Sequence, residues 1–236
     1  MNKLSLSLAW VSTAVILLSA APALYASPVS VKIFPPGSKP YGASTDEHIE
    51  NFWKWQISIP AEPEGEHPIS DVTGEKCTKD QLNSNSSVFY LSGAGGKTVE
   101  RTCTIPAGKG VLIPVMTVVA TEKEYPGSSV AELADIVKKD QDSVTALSLD
   151  INGINYAFDD LKKFRMATGE FEVTFPKNGI FGVTGEGSSK AVADGYYLLT
   201  EPLSRGNYTI HYKGALGDPL EGTNFQHDIT YRLIVK

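Results

Sequence analysis

Cysteine and histidine are scarce in this 236-residue chain, with two and four copies respectively. No Cys-x-x-Cys, His-x-His or His-Glu-x-x-His occurs, which excludes the common thiol-redox and zinc signatures. Gly-x-Ser-x-Gly is missing too. Gly185-Glu-Gly-Ser-Ser189 lacks the closing glycine and a strand-to-helix setting, so it reads as a loop rather than a nucleophile elbow. Gly93-Ala-Gly-Gly96 lacks the Gly-Lys-Ser/Thr ending and the following helix of a phosphate cradle. Positive charge is in short supply: 21 Lys and Arg face 27 Asp and Glu, a net charge of -6. No basic stripe stands out, which excludes nucleic acid as a partner. Beyond the first residues no apolar run is long enough to span a bilayer, and there is no internal repeat or low-complexity tract.

What is present begins with an export signal, predicted over residues 1–26. Lys3 supplies the basic region, Leu4 to Leu18 the apolar one, and Ala21-Pro22-Ala23 and Tyr25-Ala26 offer rival cleavage sites. The first cysteine is Cys77, so none lies where a lipid would be attached. The expected product is secreted or periplasmic, with no transmembrane segment after signal removal. In that compartment two cysteines are most simply one disulfide, Cys77–Cys103, worth about 3–4 kcal/mol on the chain-entropy account.

Residues 27–236 are expected to form a single β-sandwich domain, jelly-roll or Greek-key in type, with an irregular arm over about residues 27–45. Within that arm residues 29–34 read as an edge strand. Thr45 or Asp46 is expected to cap a short helix that ends at Pro60 and carries Ile49, Phe52 and Trp53 on near-helical spacing. Residues 111–121 are almost continuously apolar, the pattern of a strand covered on both faces, and Pro114 there calls for an edge position or a bulge. One long amphipathic helix is predicted from Ser129, with Glu132 completing a capping box and Val130, Leu133 and Val137 on the buried face. Asn152-Gly153 is the strongest hairpin signal.

Several short motifs together resemble a family of exported microbial β-rich proteins without assigned activity. They are Trp53-Lys-Trp55 with Ser58-Ile-Pro60, Asp71-x-Thr-Gly74 followed by Cys77, Arg101-x-Cys-Thr-Ile-Pro-Ala-Gly-Lys109, and Asp194-Gly-Tyr-Tyr197 followed by Pro202-Leu-Ser-Arg-Gly206. The resemblance implies one domain in the cell envelope and supplies no catalytic residue. Where such proteins carry Asn-Pro, this chain has His67-Pro68.

The function expected from these observations is a non-enzymatic binding or structural module of the envelope. An extracellular hydrolase or lyase on a jelly-roll scaffold is one alternative, and a divalent-metal-binding periplasmic protein another. No cofactor and no metal ligand set is expected. The acidic loop of residues 61–76 follows two tryptophans, so the candidate binding residues are Trp53, Trp55, Glu64, Glu66, His67 and Asp71. Rings that stack and carboxylates that accept hydrogen bonds suit a cationic or sugar-like ligand, or a protein partner. Asp71, Asp159, Asp160 and Asp194 are the carboxylates from which a catalytic pair would be drawn. His211 and His227 fall on opposite parities of their strands. Asn85 and Asn207 match the glycosylation pattern.

Overall fold

A computed structural model describes residues 30–63, 66–81, 86–217 and 224–236. The export signal, Glu64 and Asn85 lie outside these described residues. Strand predominates, arranged as two mixed five-stranded sheets.

The first helix, α1 (Thr45–Ser58), is capped one residue earlier than its sequence suggests. Ser44 accepts from Glu47 N, and the Glu47 carboxylate accepts from Ser44 N at 2.7 Å, a complete capping box. The helix stops at Ile59 because Pro60 follows. Residues 29–34 make no full edge strand; the described part of that arm contributes a single bridge, Ile33 to Thr200.

The first sheet runs β1 (Val88–Tyr90), β3 (Gly110–Thr121), β8 (Gly187–Leu199), with β6 (Arg165–Ala167) and β7 (Phe171–Phe175) both on the far side of β8. The second runs β2 (Thr98–Ile105), β10 (Phe225–Val235), β9 (Gly206–Leu216), β4 (Val144–Ile151), β5 (Ile154–Ala157). Two of the pairings are parallel, β1 with β3 and β2 with β10, which neither sandwich type considered from the sequence anticipates.

Alternation places one set of side chains between the sheets. Phe89, Ile113, Val115 and Leu198 of the first meet Cys103, Leu149, Ile210 and Ile229 of the second in one buried cluster. The other face of the first sheet packs Tyr90, Leu112 and Leu199 against Ile49, Phe52 and Trp55 of α1. β3 is therefore apolar on both faces, as its unbroken hydrophobic run requires. Its register shifts between Pro114 and Met116, the bulge that the proline calls for. The second helix, α2 (Val130–Asp142), is capped by the Ser129–Glu132 box and seats Leu133 and Val137 on Ala120 and Val192.

Cys77 and Cys103 are bonded, which ties the loop after α1 to β2. Gly74 makes that junction possible. It sits at φ 93°, and a Cβ there would meet the Thr102 carbonyl oxygen at 2.5 Å. Among the described residues no helix is long and apolar enough to cross a membrane.

Candidate functional site

A cleft of ≈ 310 Å³ opens where the chain passes from one sheet to the other. β1 is only three residues long, and its last bond to β3 is Leu91 N to Leu112 O at 3.1 Å. Gly93, Ala94 and Gly95 then swing away towards β2, leaving Pro114 and Thr117–Val119 of β3 as a floor. Phe52, Trp53 and Gln56 of α1 form one wall, and Leu216, Phe225 and His227 the other.

Two phenylalanines stand exposed at the cleft, Phe181 at 45% and Phe225 at 37%. Phe181 holds φ 62° in the short turn Ile180–Gly182, a conformation costly for an aromatic residue, and its ring lies 6.4 Å from that of Trp53. Exposed aromatics held in strained backbone concentrate at binding sites. Trp53 is buried and donates from Nε1 to the Tyr197 hydroxyl at 2.8 Å, which fixes its ring as a rigid surface.

The charged groups lining the cleft are Glu124 and Asp140; no Lys or Arg is among its described lining residues. Burial pushes the Glu124 carboxyl up to about 7, against the opposing hydrogen bond from Thr121 Oγ1 at 2.9 Å. Burial raises Asp140 as well, with Lys139 opposing. Both acids act on Tyr125, whose hydroxyl is raised first by burial and then by their negative charge. His227 is driven below the ordinary histidine range by burial, so its ring is neutral, and Nε2 faces the Val115 carbonyl at 2.7 Å. With a carbonyl as partner, Nε2 carries the hydrogen. Gln56 Oε1 is buried without a hydrogen-bond donor among the described residues, while Nε2 donates to Ser92 Oγ.

A carboxyl whose pKa is raised in the fold costs stability wherever the unfolded chain would ionise it more readily than the folded chain does. Glu124 therefore costs nothing below about pH 4.5, progressively more from there to about pH 7, and a constant amount above. Glu124→Gln is expected to stabilise by about 1–3 kcal/mol at pH 8 and to be nearly neutral at about pH 4. Urea unfolding of the two proteins at both pH values measures this, and equal differences at both would contradict the assignment.

The sequence-derived candidates separate. Trp53 lines the cleft. Trp55 is fully enclosed, with Nε1 donating to Lys79 O at 2.9 Å, and contributes nothing to the cleft. The two point apart because residues two positions apart on a helix lie on different faces. His67 is fully buried and neutral, its range lowered by burial. Its Nε2 lies 2.9 Å from Gln56 O and its Nδ1 accepts from Ile69 N, so it pins the loop to the end of α1. Asp71 caps a turn: its carboxylate accepts from Thr73, Gly74 and Lys76 N, and these bonds outweigh burial and hold it below the usual carboxylate range. Glu66 is engaged at the surface by Lys76 at 2.7 Å and Lys79 at 3.5 Å. Asp194 is forked by Arg165, Asp159 pairs with Lys162, and Asp160 accepts from Ala157 N. His211 pairs with Asp228 on the outer face of the second sheet, opposite His227. Among the described residues no three His, Cys, Asp or Glu converge as metal ligands do.

Glu124, Asp140, Phe181 and Phe225 have no distinguishing local sequence signal. They come together only through tertiary contacts, from loop, helix and strand positions spread over a hundred residues.

No protein-family model and no curated protein matches this sequence. Among solved structures one chain is similar, described as "Structure of PbICP-C in complex with falcipain-2". It is 11% identical and covers 64% of this chain and 100% of that one. Its TM-score is 0.23, a likeness too slight to support an argument about fold or function.

Proposed function

We propose that the chain is an exported, single-domain β-sandwich of the cell envelope that acts as a binding module. Its ligand has an apolar body and a cationic group. The observation that carries this reading is the cleft itself: aromatic rings on both walls and carboxylates as its charged lining groups. Sites of about 300 Å³ and above, mostly apolar with a few convergent polar groups, are the usual form of a ligand pocket. The apolar body packs on Trp53, Phe181 and Phe225, and the cation meets Glu124 and Asp140. The family resemblance and the bonded cysteines support the location outside the cytoplasm. The hydrolase or lyase alternative draws on the same Glu124, which titrates near neutrality as a general acid or base does.

Octylamine is a suitable probe. It is expected to change tryptophan emission saturably, and to bind more tightly above pH 7, where Glu124 is ionised. Glu124→Gln should weaken it by at least about tenfold, the scale of a lost charge-assisted bond. Unsaturable partitioning, or affinity indifferent to both pH and the substitution, would overturn the proposal.

A further inference from the structure

We infer that the natural occupant of the cleft is an extended peptide segment that adds as a strand to the open edge of β3, with apolar side chains on Trp53 and Phe225 and a basic one towards Glu124 and Asp140. This rests on the binding reading above and specifies its ligand.

The backbone of β3 carries the argument. β1 covers its near edge only at Gly110–Leu112, and beyond Leu112 no described strand lies there. On the other side, β8 uses its alternate residues. Glu122 N donates to Lys190 O at 3.0 Å, which directs even-numbered β3 residues towards β8. Ala193, the partner of Val119, spends both backbone groups on Thr168: its N–H donates to Oγ1 at 3.0 Å and its carbonyl accepts from Thr168 N at 2.8 Å. Val119 therefore receives no ladder bond from β8, and by alternation neither does Thr117. The N–H and C=O of Thr117 and Val119 face the cleft, two residues apart, which is the repeat that a pairing strand matches.

The edge is closed elsewhere. Pro114 has no donor, and the Val115 carbonyl faces His227 Nε2 at 2.7 Å. Native proteins guard open edges with charge or proline because an open edge recruits any strand. Here Thr117, Val118 and Val119 are half-buried between aromatic walls, which confine a strand pairing with β3 to this place. Main-chain bonds with side-chain pockets alongside are how sheet-edge recognition obtains affinity and specificity. A sugar or a simple amine leaves these paired backbone groups unmatched. The acidic lining and the net charge of -6 favour a basic segment.

Three probes test this on the full disulfide-bonded chain: a capped octapeptide of alternating valine and lysine, the same peptide N-methylated at alternate bonds, and octylamine. The plain peptide is expected to slow amide exchange at Thr117 and Val119 at least tenfold. N-methylation should weaken binding at least tenfold, and octylamine should bind without slowing those amides. Val119→Pro, which removes one edge donor, should weaken the peptide at least tenfold more than it weakens octylamine. If octylamine binds but the peptide does not, or if N-methylation changes nothing, the strand-addition inference falls and the cleft reading stands. If neither binds, the cleft reading itself falls.

Discussion

Replacing Arg101 with methionine is expected to remove about 4–6 kcal/mol of stability, enough to leave much of the protein unfolded at 37 °C. Arg101 is 1% exposed, and the structure gives its guanidinium no carboxylate partner among the described residues. Instead Nε donates to Asp71 O at 2.7 Å, Nη1 to Ser92 O, Gly93 O and the Tyr231 hydroxyl, and Nη2 to Ile69 O at 3.3 Å. The guanidinium also lies 5.4 Å from the Tyr231 ring centroid. One side chain thus joins the loop after α1 to the crossover that bounds the cleft. Methionine fills comparable space but strands several buried acceptors, each costing about 1–3 kcal/mol before relaxation. Arg101→Lys should recover less than half, because an ammonium cannot reproduce the planar fork. Urea unfolding at pH 7 measures both variants. A loss below about 1 kcal/mol for the methionine variant would show that water replaces the guanidinium.

Trp55→Ala is expected to cost about 3–5 kcal/mol, the range for truncating a buried aromatic residue. The ring is wholly buried, stacked on Tyr90 at 5.9 Å and tilted against Phe52 at 6.1 Å. For a chain of this size that loss lowers the melting temperature by about 6–20 °C. Trp55→Phe keeps most of the contact and forfeits the bond to Lys79 O, so it should cost about 1–2 kcal/mol. Octylamine affinity should be unchanged in Trp55→Phe, since the ring lies outside the cleft. A melting temperature unmoved by Trp55→Ala would show that the contact between α1 and the first sheet is peripheral to stability.

Short-range patterns made much of this legible in the sequence. The Ser129–Glu132 box, the face of Leu133 and Val137, the Asn152-Gly153 turn with both residues at positive φ, the bulge at Pro114 and the Cys77–Cys103 bond all follow from residues within a few positions, or from cysteine count. Arg101 was also within reach: it shares parity with the buried Val99, Cys103 and Ile105, and an arginine on the inward face of an alternating strand signals a buried network. Pairing partners were out of reach. β2 lies parallel to β10, which joins Thr98 to Asp228 across most of the chain, and no local pattern encodes that contact. The cleft depends on the same long-range geometry. Adjacency in sequence suggested that Trp53 and Trp55 would work with the acids of residues 62–75. Helical rotation turned Trp55 into the core, lysines took Glu66, and backbone amides took Asp71. The negative charge beside Trp53 is supplied instead by Glu124 and Asp140, because the early end of β1 leaves β3 uncovered where the turn after β3 and the end of α2 come close.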